Sequence, residues 1–258
     1  RHTLQKNISS IWDGKESILE LKEVDYQWRQ MEWIGFYFEY KAFATLKKNL
    51  DGQVGPRIGN TLFDYRRTFV WDFKSHPINS SSNWVITNDC EAVNICIEKY
   101  DGTGLIIAMG EAEYNDEDGS FRHWHSVLKG GPSDYVKKRK KRGASSRRRK
   151  TRFAVLDYLI IFLESKEDIE RAIDEGWLSG DAQVGWRNAD GSPRRAKYKI
   201  KVDSIADWAR VYFVNLTYVI FPYCRTEVRY TQCCAARDFS TVRQKPHFSE
   251  LDILLVLS

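Results

Sequence analysis

The chain has 258 residues, 42% of them hydrophobic and 14% aromatic, which excludes a mainly disordered protein and indicates a globular one with a buried core. It contains no run of about 18 apolar residues, so the sequence predicts no membrane span and no membrane partner. The five cysteines include no CxxC pair, so neither a disulfide framework nor a zinc knuckle is indicated, and we expect reduced thiols in a cytoplasmic protein.

The net charge of +5 comes from one segment of the chain. Residues 137–152 contain eleven basic side chains and no acidic one, and without them the chain has 29 basic and 35 acidic residues. This concentration predicts contact with a polyanion; a solvated loop or a localisation signal is the alternative. The residues of this basic tract that we expect to contact DNA are Lys138, Arg139, Lys140, Arg147, Arg148 and Lys150.

Helical and strand patterns alternate along the chain, which predicts an α/β protein. The predicted elements up to the polar turn at 115–119 are one or two helices over 16–50, short strands over 61–65 and 68–76 that pair as a hairpin, a loop over 77–83, a helix from Asn88 or Asp89 to Tyr100, and a buried strand over 105–109. After that turn they are a short helix that ends at Gly130-Gly131, a buried strand over 153–163, a helix over 165–175 capped by Ser165, and strands over 198–202 and 210–221.

Two acids and a lysine lie close together in the two short strands. Residues i and i+2 of a strand point to the same face, so Asp72 and Lys74 are expected to share a face while Phe73 turns into the core. Asp64 would meet them from a neighbouring strand or turn. Two carboxylates can hold a hard divalent cation, and an ammonium group beside them can orient an attacking water. This set of groups suits phosphodiester hydrolysis; an ordinary surface hairpin is the alternative.

The order of helix, acid, D-x-K strand, helix and buried strand resembles the core of the PD-(D/E)XK nuclease superfamily. The short gap between the acids and the leading Gly59-Asn60-Thr61 resemble those of mismatch-repair nicking endonucleases and type II restriction endonucleases. The resemblance covers residues 16–113. It departs from the family pattern because Phe63, not proline, precedes the first acid, and because the second acid is Asp72 where glutamate is commoner.

The resemblance implies a role for each matching residue. Asp64 and Asp72 would bind Mg²⁺, Lys74 would assist the attacking water, and Glu39 from the preceding helix would add a supporting carboxylate. The implied fold is a central mixed β-sheet flanked by helices, with a nuclease core at residues 1–113. A DNA-binding elaboration at residues 114–258 would continue the same globular domain.

The function implied by the resemblance is that of a type II restriction endonuclease. Such an enzyme is a Mg²⁺-dependent hydrolase that cuts double-stranded DNA at a short sequence, and we expect a cytoplasmic prokaryotic homodimer whose two-fold symmetry matches that of a palindromic site. Two alternatives stay open. One is a non-catalytic nucleic-acid-binding protein that uses the basic tract, and the other is a nuclease directed at RNA.

A second polar turn, over residues 185–198 and called the polar turn below, predicts base contacts. Arginine and asparagine make bidentate contacts to guanine and adenine, and a β-hairpin can enter the major groove. A hairpin that touches only the DNA backbone or solvent is the alternative. The residues expected to contact DNA here are Arg187, Asn188, Arg194, Arg195 and Lys197.

Three further motifs have simpler explanations. The triplet Glu39-Tyr40-Lys41 is a rival E-x-K, but residues i and i+2 of a helix do not share a face, which leaves Glu39 only its supporting role. His76 follows the D-x-K strand on its catalytic face and is either a second general base, a phosphate contact or a plain strand-end histidine. His123 and His125 have no partners spaced to complete a zinc site, so a helix packed by Trp124 is expected.

Overall fold

The computed structural model describes residues 1–132, 134–143, 148–188 and 190–211. Most of the strand predicted over 210–221 therefore lies outside the described residues, as do three of the cysteines. The other two, Cys90 and Cys96, are free thiols. Within these ranges no helix combines the length and apolar character needed to cross a bilayer.

The secondary structure alternates between helices and strands from the start of the chain. The helices are α1 (His2–Asn7), α2 (Gly14–Glu23), α3 (Trp33–Leu50), α4 (Cys90–Tyr100), α5 (Ser120–Leu128), α6 (Asp134–Lys141) and α7 (Lys166–Asp174), with a 3₁₀ turn at Asp207–Ala209. The strands are β1 (Ile11–Asp13), β2 (Arg57–Ile58), β3 (Thr61–Leu62), β4 (Tyr65–Arg66), β5 (Val70–Pro77), β6 (Trp84–Asp89), β7 (Thr103–Glu113), β8 (Arg152–Leu163), β9 (Leu178–Ala182) and β10 (Lys197–Lys201).

A mixed five-stranded sheet forms the centre of the molecule, in the order β1-β8-β7-β5-β4. Strands β5 and β7 are parallel and the other neighbours are antiparallel. The prediction of a central mixed sheet in an α/β protein is thus confirmed. A second, antiparallel sheet has the order β6-β10-β9, and β2 pairs with β3. Because β8 pairs with β7 along its length, the central sheet continues past the expected core boundary at residue 113.

The caps of two helices agree with the sequence prediction. The side chain of Asp89 accepts a hydrogen bond from the backbone N–H of Ala92 at the start of α4. The Ser165 hydroxyl accepts one from the N–H of Asp168 at the start of α7. Each cap satisfies a backbone donor that the first turn of a helix leaves unpaired. The predicted starts of both helices are confirmed.

Alternate residues of β5 pack into different cores. Trp71 and Phe73 lie in a cluster with α1–α3, where the rings of Phe38 and Phe73 are 5.8 Å apart. Val70 lies in the cluster formed with α4, α7 and the second sheet. Since side chains alternate along a strand, Asp72 shares the Val70 side of the sheet. Burial of each large apolar side chain contributes roughly 1.5–3 kcal/mol, which holds β5 in this register.

The predicted hairpin of 61–65 with 68–76 is only partly correct. The structure divides its first arm into β3 and β4, with Asp64 between them, and β3 pairs with β2. The reason is that Phe63 packs in the cluster with α4 whereas Tyr65 packs in the cluster with α3. One continuous strand would point residues i and i+2 to the same face, so the chain must turn at Asp64. Two early elements, α1 and β1, were not predicted.

Gly104 of β7 lies against the ring of Trp71, which a β-carbon on this residue would overlap. Gly104→Ala is therefore expected to destabilise the protein by about 2–3 kcal/mol, the usual cost of forcing extra volume into a packed core. Urea unfolding would measure this change. Gly35→Ala is the matched control, because the new methyl would lie 3.8 Å from Ser75 Oγ in ordinary contact, and a stability within about 1 kcal/mol of wild type is expected. Equal losses in both variants would contradict the prediction.

Candidate active site

Asp72 and Lys74 form an ion pair on β5, the strand of the central sheet that lies next to the short edge strand β4. The Lys74 ammonium group contacts Asp72 Oδ2, and the two side chains are 21% and 4% exposed. Lys74 Nζ also donates to the backbone oxygen of Phe73 at 3.0 Å. The predicted common face of the two residues is confirmed. The pair is almost closed to solvent, so the two opposite charges compensate each other where water cannot.

Asp64 reaches the same strand through the backbone. Its Oδ2 accepts a hydrogen bond of 2.6 Å from the N–H of Phe73. On β5, strand β4 pairs only with Val70 and Trp71, so the next donor along this edge of β5 is not matched by a strand partner. The Asp64 carboxylate takes that position, and the break between β3 and β4 brings it there.

Glu39 approaches from α3 and is held by a residue that the sequence did not predict. The Tyr26 hydroxyl donates to Glu39 Oε2 at 3.0 Å. Tyr26 lies between two residues in the left-handed region, Asp25 with φ 49° and Gln27 with φ 47°, which non-glycine residues adopt at a cost. The sequence signal for this role was weak, because Tyr26 simply continued the apolar pattern that precedes α3.

These carboxylates and Lys74 perturb one another. Burial, followed by the negative charge of Asp72, raises the pKa of Asp64 well above its usual range. Burial raises the pKa of Glu39, which Lys74 opposes and Asp72 reinforces. Burial by itself would lower the pKa of Lys74, but the three carboxylates outweigh it and raise that pKa. Mutual perturbation of buried titratable groups is typical of functional sites.

The oxygen donors of this cluster are of the kind that Mg²⁺ prefers. Within the described part of the chain, no three His, Cys, Asp or Glu side chains form a group that would hold a metal ion alone. Mg²⁺ usually keeps several waters and takes one or two carboxylates from the protein. The repulsion between Asp64 and Asp72 is what a cation would relieve. Two carboxylates therefore fit Mg²⁺, with water and substrate as its other ligands.

The residues of the polar turn divide into two groups. Arg187 Nη1 donates to Gly191 O at 2.8 Å and Asn188 Nδ2 to Ser192 Oγ at 3.0 Å, so these two side chains stabilise the turn itself. Lys197, in contrast, lies near Lys74 and Asp72, which both affect its pKa. Lys197 is thus within electrostatic range of the Asp72–Lys74 pair.

Arg194 and Arg195 occupy the same turn. The Arg194 guanidinium lies over the ring of Trp186, 5.7 Å from its centre. Arg195 lies 3.4 Å from Glu91 and 3.8 Å from Asp89. Arg195 therefore faces the start of α4, whereas Arg194 packs on an aromatic ring of the turn itself.

The basic tract is partly helical. Lys138 is exposed on α6, while Arg148 pairs with Glu117 and Lys150 with Glu32 at 2.9 Å. Arg147 and the side chains of Arg139 and Lys140 lie outside the described residues. DNA contact by this tract stays a prediction.

His76 and His125 are both buried. His76 is buried, and burial together with the charge of Lys150 lowers its pKa. His125 Nε2 lies 2.9 Å from Trp28 O, and its pKa is lowered to about 4 mainly by burial, so it is neutral at pH 7. Trp124 packs against the core, as predicted for this helix.

Comparison of the chain with protein-family models, with curated proteins and with solved structures gives no match. Arguments about function therefore depend on the geometry and chemistry of the site.

Proposed function

We propose that this chain is a Mg²⁺-dependent endonuclease that hydrolyses phosphodiester bonds in double-stranded DNA, in the manner of a type II restriction enzyme. The observation that carries the proposal is the contact of Lys74 with Asp72 in a nearly closed position, with Asp64 and Glu39 acting on the same ammonium group. A purely structural ion pair would not need two further buried carboxylates, because each adds repulsion and a desolvation cost.

Asp64 and Asp72 would hold the Mg²⁺ ion. Bound there, the ion supplies positive charge that polarises the phosphoryl group and offsets charge on the leaving oxygen. The protein supplies two negative charges on adjacent elements, one on β5 and one at the turn before β4. In this arrangement both carboxylates would face one Mg²⁺ ion.

Lys74 acts as a donor in this mechanism. Its raised pKa keeps the side chain protonated at neutral pH, so it orients the attacking water and stabilises negative charge on the phosphate. The proton of that water needs an acceptor. Glu39 lies within electrostatic reach of Lys74, and its raised pKa makes its carboxylate the better base. Tyr26 holds Glu39 in position through its hydroxyl.

The remaining parts of the proposal concern the substrate and the assembly. Residues 1–113 would supply a restriction-endonuclease-like core, and the region after residue 113 would grip DNA with its basic side chains. The tract 137–152 brings positive charge to a molecule that is otherwise mildly acidic, as phosphate binding requires. A homodimer would cut both strands of a palindromic site.

Incubation of the wild-type protein with plasmid DNA tests the proposal. With Mg²⁺ we expect discrete fragments, and with EDTA we expect intact plasmid, because the two carboxylates need a cation to act. Duplex RNA serves as the competitor. Preferential cleavage of RNA would overturn the DNA assignment. Salt-dependent binding without cleavage, with or without Mg²⁺, would replace the proposal with a non-catalytic nucleic-acid-binding protein.

A further inference from the structure

A polar cleft of about 460 Å³ lies between the turn that precedes β3 and the polar turn that leads into β10. Its floor is the start of α4. Besides Gln183, Ser192 and Pro193, the residues that line it are Asn60, Thr61, Asp89, Asn188, Arg194, Arg195 and Lys197. Three of these are cations and one is an acid, so the cleft carries net positive charge.

Lys197 connects this cleft with the candidate active site. In the described ranges its ammonium group has no hydrogen bond and no ion pair, although the residue is partly buried. Burial, followed by the repulsion of Lys74, lowers its pKa, while Asp72 and Asp89 oppose this. A partly buried cation without a direct partner is costly. An anion in the cleft would remove that cost.

The other two cations that line the cleft are Arg194 and Arg195. Arg195 pairs loosely with Glu91 and Asp89, and Asp89 is also committed to capping α4. Gly59 has a φ of 58°, and its missing β-carbon would lie 3.3 Å from Arg195 Nη1. The guanidinium therefore reaches across to the turn that carries Asn60. This closes one side of the cleft and leaves the other side open to solvent.

We infer that the cleft binds the backbone of the nucleic-acid strand that the carboxylates cleave, with Lys197 as the ligand of a phosphate next to the scissile one. The inference rests on the proposed function. An open groove with neutral polar groups suits a continuous strand, because amide and hydroxyl groups contact sugar and phosphate oxygens. The charge of Lys197 acts on those of Lys74 and Asp72, which suits a phosphate that neighbours the one under attack.

Lys197→Met tests the inference, with Lys199→Met as the matched control. Both lysines lie on β10, but Lys199 already pairs with Asp181 and lies over the Trp84 ring. Binding of a fluorescent DNA duplex is measured in EDTA over a series of salt concentrations. We expect Lys197→Met to raise the Kd about five- to tenfold and to reduce the salt slope by about 1. The control should match wild type.

A second variant guards against a simple folding defect. Lys197→Arg retains the charge and should keep the wild-type salt slope. An unchanged Kd and slope in Lys197→Met, or an equal loss in Lys199→Met, would overturn the cleft assignment even if wild-type cleavage is intact. The converse outcome is that the protein binds DNA through Lys197 and yet cleaves none with Mg²⁺. That result would overturn the proposed function but would still support the cleft as a site that binds the DNA backbone.

Discussion

Lys74→Met is expected to reduce Mg²⁺-dependent DNA cleavage by a factor of about 10²–10⁴, the usual contribution of a positioned proton donor or acceptor. The same change should lower the free energy of unfolding by about 3 kcal/mol, because it leaves Asp72 buried without its cation. Methionine nearly preserves the volume of the side chain, so packing changes little. Cleavage rates and urea unfolding at pH 7 measure the two effects.

Lys166→Met is the control for this substitution. Lys166 pairs with Glu98 on the surface, where both side chains are 52% exposed, and such pairs contribute about 0–1 kcal/mol. We expect wild-type cleavage and nearly wild-type stability. A Lys74→Met protein that cleaves DNA like wild type would contradict the catalytic assignment. If it also kept its stability, the importance of the ion pair itself would be contradicted.

The parts of the fold that sequence predicted well depend on local signals. Asp89 and Ser165 cap their helices through contacts within three residues, and the shared face of Asp72 and Lys74 follows from strand geometry alone. A pattern within one segment is enough in each case. The central strands were also predicted, because their apolar runs are long and bounded by turns.

The parts that could not be predicted depend on contacts distant in sequence. The turn at Asp64 follows from Phe63 and Tyr65 packing against opposite cores, and each core is built from segments far along the chain. The role of Tyr26 requires α3 to lie alongside the preceding loop. Periodicity contains no information on either point, so the candidate site could be predicted as a set of residues but not as an arrangement.

The polar turn shows the same limit for binding residues. Residue type alone placed Arg187 and Asn188 with Lys197 as equal candidates for DNA contact. The side chains of the first two form hydrogen bonds inside the turn, whereas Lys197 lines the polar cleft and has no such bond in the described ranges. We therefore expect backbone contact through Lys197 to contribute more to affinity than base contact through Arg187.

Asp64→Asn is expected to reduce the cleavage rate by a factor of at least about 10²–10³. The same change is expected to make the protein more stable at neutral pH. The asparagine retains an oxygen that accepts the hydrogen bond from the Phe73 N–H, so the local structure is preserved. It removes a charge that burial and Asp72 both disfavour. The loss of activity and the gain of stability arise from the same carboxylate, because a metal site needs its negative charge whereas the fold does not need it.

The effect of Asp64→Asn on the free energy of unfolding depends on pH. The pKa of Asp64 is raised in the folded state, so at a pH below its unfolded pKa of about 4 the group is protonated in both states. Above that pH the unfolded state ionises first, and wild-type stability falls until the pH passes the raised pKa. The asparagine variant lacks this loss. Urea unfolding should therefore give similar stabilities below about pH 4 and a variant that is more stable than wild type at pH 8. A variant less stable than wild type at pH 8 would contradict this prediction. It would mean that the Asp64 carboxylate stabilises the fold, and the fold would then give no reason to assign it to a metal.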